Sequence, residues 1–203
     1  MKTKNILWIA VAVCVLALLC ILFIKPKGQK SDTELKEVDL AVLGSEDIFD
    51  AITNQWMLVT AGTSDSFNTM TANWGGFGHL WNKNVAFIFI RPDRYTHEFI
   101  ENNERVTLSF YDEQYRTALQ ICGSKSGRNT DKVAEAGLTP LQLESGAMAF
   151  SEARLVIDGR KIYHVDFEED NFDDWSIFKR WYGSKVDPHT LYILEIEKIY
   201  SVK

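Results

Sequence analysis

Asn68, Thr69, Thr71 and Asn73 precede a short apolar run, and Arg91, Arg94, Tyr95 and Thr96 follow it. A strand that only fills a core needs none of these groups. A phosphate ester does, because it carries up to about two negative charges and is held by hydroxyls, backbone N–H groups and a guanidinium or ammonium. Thr71, Asn73, Arg91, Tyr95 and Thr96 supply such donors at the two ends of one predicted strand. Thr96 is also placed to N-cap the helix expected next, where the helix N-terminus favours an anion. A second small, basic loop, "GSKSGRN" from Gly123 to Asn129, adds Ser124 and Lys125. A flat ring needs a different wall, apolar on its face and polar along one edge. Asn68, Met70 and Trp74 are placed to supply both, and the Gly75-Gly76 step lets backbone come close to a ring.

Each residue also has a plainer reading. Trp74 and Trp81, taken singly, are core aromatics. Asn68 and Asn73 serve equally well as turn residues, and Thr71 as an ordinary strand residue. Arg91, Arg94 and Lys125 can be solvated charges. Cys122 reads as an inert buried thiol, since no base neighbours it in the sequence. The acidic run Asp166 to Asp174 lacks the spacing of a calcium loop and reads as a solvated turn. "WSIFKRWYG", Trp175 to Gly183, fits either a cover over a ring or part of a subunit interface. His79, His97, His164 and His189 are scattered and form no metal-ligand spacing with cysteine.

The elements that must hold these residues are mostly strands. "QWMLVTAG" (Gln55 to Gly62), "VAFIFIR" (Val85 to Arg91) and "RVTLSFY" (Arg105 to Tyr111) are short runs rich in β-branched and aromatic residues. "EARLVIDGRKIYHVDF" (Glu152 to Phe167) alternates on both sides of Asp158-Gly159, which predicts a hairpin turning there. "TLYILEIEKIYSV" (Thr190 to Val202) is a closing strand. "RYTHEFIENN", "EQYRTALQICG" and "NTDKVAEAG" read as short helices, the last two ending at glycine. Many short strands with few helices predict a mainly β, α+β domain built as a closed or split antiparallel barrel. No strand runs into a Gly-rich turn and a long helix, which argues against a doubly wound nucleotide fold.

Composition limits the function. The chain has 203 residues, 46% apolar and 25% charged, as in a packed globular protein. A net charge of -6 leaves no basic stripe for nucleic acid. Cys14 and Cys20 lie in the N-terminal apolar run, so Cys122 stands alone in the rest and no disulfide framework exists. That run, Ile6 to Ile24, has no charged side chain and is flanked by lysines on both sides. It is long enough to cross a bilayer as a helix. A cleaved signal would want a shorter apolar core and a small-x-small site, and Leu19 before Cys20 argues against a lipoprotein signal. The expectation is therefore a transmembrane anchor over residues 1–24, a linker over 25–44 and a domain over 45–203. The lysine counts nearly balance, so they do not set its orientation.

Four segments in order, "FNTMTANWGGFGHLWNKN", "FIRPDRYTHEFIENN", "TLSFYDEQYRTALQICGSKSGRNTDKVAEAGLTP" and "HTLYILEIEKIY", resemble the flavin reductase-like family, in particular its flavoredoxin-type branch. The resemblance spans about Asp50 to Tyr200 and excludes the apolar run. It implies an FMN-binding split barrel and a homodimer with FMN near the subunit interface. On that resemblance Asn68, Met70, Thr71, Asn73, Trp74, Arg91, Tyr95, Thr96, Ser124 and Lys125 are the candidate FMN contacts. It implies an oxidoreductase in which NAD(P)H reduces FMN and electrons pass to a flavin, ferric or protein acceptor. The cofactor then carries the chemistry, which agrees with the lack of an acid–base dyad in the sequence. An electron carrier or flavin-binding module without its own NAD(P)H oxidation is the alternative, and no adenine-nucleotide fingerprint decides between them. Reductant supply favours the cytoplasmic side of the membrane.

Overall fold

The computed structural model describes residues 34–183 and 186–202. The expected anchor lies outside them, as does the linker up to residue 33. Among the described residues no helix is long and apolar enough to cross a membrane.

The domain is one curled antiparallel sheet dressed with short helices. Its strands are β1 (Leu35–Val38), β2 (Met57–Thr63), β3 (Ser66–Ala72), β4 (Gly75–Leu80), β5 (Lys83–Ile90), β6 (Arg105–Phe110), β9 (Leu155–Asp166) and β10 (Thr190–Val202). They lie in the order β3-β2-β6-β9-β10-β5-β4, with β1 on the free edge of β10. A separate two-stranded ribbon pairs β7 (Pro140–Gln142) with β8 (Met148–Phe150). Strand β10 divides its second edge: Thr190 to Glu195 pair with β5, and Ile199 to Val202 pair with β1. The helices are α1 (Ile48–Asp50, continued by a π-helical turn Ala51–Gln55), α2 (Tyr95–Asn102), α3 (Arg116–Ser124), α4 (Lys132–Ala136) and α5 (Trp175–Trp181).

Alternation along β2 shows how the sequence builds two cores. Met57, Val59 and Ala61 face the barrel interior with Ile88, Ile90, Leu108, Phe110 and Leu194. Leu58 faces the other way, onto Leu119, Cys122, Phe150 and Val156. Opposite faces of one strand are buried because successive side chains point apart, so the strand reads as a continuous apolar run. Burying each such side chain contributes about 1.5–3 kcal/mol. The outer core holds α3 against β3, and α2 packs on β2 and β3, which brings both helices to the end of the sheet where the candidate residues lie.

Four local expectations change. Asp158-Gly159 is not a turn but lies inside β9, which has β6 and β10 on its two edges. A Cβ on Gly159 would come within 3.1 Å of Leu194 Cβ and 3.3 Å of the Val106 carbonyl oxygen, so the glycine serves close strand approach. Gly123 does not end its helix, since α3 continues to Ser124. The expected linker, residues 25–44, overlaps the sheet. Leu35–Val38 pairs with β10, and Val38, Leu40, Val42 and Leu43 pack on the inner core. Trp81 is no core residue either: with Asn82 it forms the β4–β5 turn at φ 51° and 58°, and it is 57% exposed.

Candidate functional site

Two recesses adjoin at the outer side of β3 and share Met70 and Arg94 in their walls. The smaller, about 100 Å³, lies between the start of α2 and the end of α3. Tyr95, Thr96, Ser124, Lys125, Ser126 and Lys132 line it. The larger, about 240 Å³, is lined by Thr71, Asn73, Trp74, Phe89, Arg91, Trp181 and His189.

The chain "RPDRYT" sets the start of α2. Arg94 N–H donates to the Arg91 carbonyl at 3.1 Å, and the closed turn makes Arg94 the N-cap, with no side-chain cap bond. Thr96 is therefore not the N-cap that the sequence suggests but the second residue of the helix. Its hydroxyl turns inward and accepts from Asn68 Nδ2 at 2.7 Å, with both residues buried. The first N–H groups of α2 have no intrahelical acceptor and stand beside the smaller recess.

Lys132 is the unusual group here. It is 4% exposed, its Nζ donates to the carbonyls of Cys122 at 3.1 Å and Lys125 at 3.2 Å, and it makes no ion pair among the described residues. Burial lowers its pKa, and Arg94 adds to that lowering. A buried ammonium without a carboxylate is costly unless an anion completes it. Cys122 beside it is also buried, and that burial pushes its thiol up to about 11, so it stays protonated.

The other cations are already committed. Arg91 pairs with Asp93 at 2.8 Å, Lys125 bonds Glu135, and Arg128 bonds Glu98 while lying 4.6 Å above the Tyr95 ring. The Ser124 hydroxyl donates to Gln120 O at 2.7 Å, and the Thr71 hydroxyl donates to Leu119 O at 2.5 Å.

The larger recess is an aromatic box. Trp74 meets Trp181 edge-to-face at 5.0 Å and His189 at 5.1 Å. Trp181 arrives on α5, whose N-cap Asp174 accepts from Ser176 N–H at 2.9 Å. Tyr182 OH lies 2.8 Å from His189 Nδ1 and fixes the imidazole. Trp175 and Ile177, on the same helix, are 41% and 47% exposed.

Of the residues picked out from the sequence, Tyr95, Thr96, Ser124 and Lys125 converge on the smaller recess. Thr71, Asn73, Trp74 and Arg91 lie at the larger one, and Met70 borders both. Asn68 lines neither; it backs onto Thr96 and Gly127. Gly75 has a nearer partner than a ring: a Cβ there would meet the Phe87 carbonyl oxygen at 2.8 Å, so its close approach is to β5. Ser126, Lys132, Phe89, Trp181 and His189 were not singled out as contacts. Only "PHT" before a strand marks His189, and no local pattern marks a lysine for burial.

His189 supplies a pH test. Burial, and then Arg91, lower its pKa to about 4, with Arg94 lowering and Asp93 raising it, so the folded domain holds it neutral. An unfolded histidine titrates near about 6.5. Between those values the unfolded chain takes up the proton first, so stability present above about pH 6.5 is lost as pH falls toward 4. His189→Gln should shrink the drop in Tm between pH 7 and pH 5. An equal drop in both proteins would take His189 out of the acid response.

The curled antiparallel sheet with its short helices has the architecture of a split barrel, and a cation-lined recess adjoins an aromatic cleft on it. Residues 49–203 match the family model described as flavin reductase like domain, and the chain belongs to that family. Its mainly β architecture with short helices is that family's split-barrel fold. A flavoredoxin of Desulfovibrio vulgaris (Miyazaki F) is 26% identical, with 79% of this chain and 75% of that chain covered at a TM-score of 0.57. An FMN-binding domain of a flavin reductases-like enzyme from Shewanella baltica OS155 is 16% identical, covering 84% and 78% at a TM-score of 0.60. An NADH:FAD oxidoreductase of Streptomyces globisporus C-1027, in complex with NAD and FAD fragments, is 15% identical, covering 71% and 73% at 0.53. No curated protein matches the chain. Membership of the flavin reductase-like family supports an oxidoreductase role in general.

Proposed function

We propose that the chain binds FMN and acts as an NAD(P)H-dependent oxidoreductase of the flavin reductase type. Lys132 carries the reading, because a buried ammonium with only two carbonyl partners matches a phosphate monoester. The α2 N-terminus, Thr96, Ser124, Lys125 and Ser126 surround the same space. Trp74, Trp181 and Phe89 fit the faces of an isoalloxazine, with Asn73, Arg91 and neutral His189 at its polar edge. Bound FMN would supply hydride and electron transfer from NAD(P)H to a flavin, ferric or protein acceptor. The protein's part is to hold the phosphate, orient the ring and keep water from its face.

A second reading is a flavoredoxin-like electron carrier without its own NAD(P)H oxidation, supported by the 26% identity to a flavoredoxin. A homodimer belongs to either reading. Phe49 is 87% exposed and shares an apolar groove with Trp74, Ile52 and Phe77, a surface suited to a second copy. The run Ile6 to Ile24 tethers the protein to a membrane in this proposal, with the cytoplasmic side favoured by reductant supply.

The full chain, purified in mild detergent, should be yellow, release FMN on denaturation and sediment as a dimer. Anaerobic NADH or NADPH should bleach it. A dimer that binds FMN yet is bleached by neither nucleotide selects the carrier. A colourless chain that takes up no FMN would end the assignment.

A further inference from the structure

We infer that Asp158 is an acid latch: protonated, it lets the β7–β8 ribbon close on the sheet, and ionised, it drives the ribbon off. Asp158 lies mid-strand in β9 and is buried, and among the described residues neither carboxyl oxygen has a hydrogen-bond partner. Its cross-strand neighbours are Thr107 on β6 and Lys198 on β10, which share its face of the sheet. Both reach the ribbon. The Thr107 hydroxyl donates to the Met148 carbonyl at 2.6 Å, and Lys198 Nζ donates to Glu144 at 3.0 Å. The turn between those two contacts therefore lies over Asp158, with Leu143 and Ala147 buried in the outer core.

The charges around Asp158 do not hold it ionised. Arg105 Nη1 stands 3.9 Å away, too far for a hydrogen bond, and is bonded to Glu197. Arg160 also gives its Nε to Glu197 at 2.8 Å, and Lys198 divides itself between Glu37 and Glu144. Tyr200, two residues further along β10, stays neutral because burial raises its pKa. Burial raises the Asp158 pKa more than the Ser145 hydroxyl, Arg105 and Lys198 lower it, and Glu197 raises it further. A neutral carboxyl costs far less to bury than a carboxylate, so ionisation favours any state that wets Asp158. The short ribbon is the part that yields, because β6 and β10 hold β9 along both edges. Pro140, the first ribbon residue, and Leu138 before it also line a cavity of about 570 Å³ beside the β2–β3 turn, so release widens that cavity. An unfolded aspartate titrates near about 3.9. The contribution of the latch is thus complete below that pH and is lost as pH rises through the higher pKa of the folded state.

The test is hydrogen exchange of the full chain in mild detergent at about pH 4, near the ordinary aspartate value, and at about pH 8. Protection of the ribbon amides is divided by that of the β2 amides after correction for intrinsic rate, so a change in global stability cancels. The ratio should fall at least about tenfold from the lower pH to the higher, since an unpaired buried charge costs more than one buried hydrogen bond. Asp158→Asn keeps the shape without the charge. That variant and Asp158→Thr, a residue suited to a strand, should each hold the ratio within about twofold across the same span. A ratio that does not fall in the wild type would overturn the inference. So would an equal fall in either folded variant.

Discussion

Replacing Lys132 with methionine should weaken FMN binding by about ten- to a hundredfold and leave riboflavin binding almost unchanged. A charge-assisted hydrogen bond contributes about 1.5–3 kcal/mol, and each 1.4 kcal/mol is tenfold in affinity. The loss reaches that range because Lys132 is buried and the other cations nearby are spent on carboxylates. Methionine keeps a buried, unbranched side chain of similar length, so the fold around α4 should survive. The expense of desolvating an ammonium disappears together with its bonds to Cys122 and Lys125, and those two changes oppose one another in stability. Riboflavin, which lacks the phosphate, is the internal control. Equal losses for the two ligands would move Lys132 away from the phosphate.

Trp74→Ala should act on the flavin far more than on the fold. Truncating a core tryptophan costs about 3–5 kcal/mol through the cavity it leaves. Trp74 is 37% exposed and packs on Trp181, itself 49% exposed, so its removal should cost only about 1 kcal/mol, the scale of one aromatic pair. The same change takes away one wall of the larger recess. Bound FMN should then show a shifted absorption spectrum and midpoint potential, with affinity down about tenfold. Thermal stability and potential measured side by side separate the outcomes. An unshifted potential with a large loss of stability would return Trp74 to a purely structural role.

Strands β2, β5, β6 and β10 were legible because each is rich in β-branched and aromatic residues, which suit a pleated, buried surface. Strands β3 and β4 were not, since Ser66–Ala72 and Gly75–Leu80 are rich in residues that locally favour turns. Tertiary pairing overrides that preference: β3 zips along all of β2, and β4 along β5. The Asp158-Gly159 signal failed for the converse reason, because two neighbouring strands hold the step extended. At the site, hydroxyls and amides drew attention by density, and most do line the two recesses. Their division between the recesses depends on which way each hydroxyl turns. Thr71 turns to Leu119 and Thr96 to Asn68, contacts 48 and 28 residues apart in the chain. Trp181 and His189 reach the box from α5 and the lead-in to β10, so no spacing near Trp74 announces them.

The short strand β1 has a practical meaning for how much chain the domain requires. Ile199 to Val202 would end the sheet with an open ladder of N–H and C=O groups if Leu35–Val38 were cut away. Open ladders recruit other chains, and the outcome is growth by strand addition. β1 blocks that growth because it is only four residues long and carries Lys36 and Glu37 outward. Glu37 also clasps Lys198 at 2.8 Å, which pins the blunt end in place. A fragment beginning at Ser45 would keep both recesses whole and still be prone to stack edge to edge. One beginning at Glu34 keeps the guard on its own sheet.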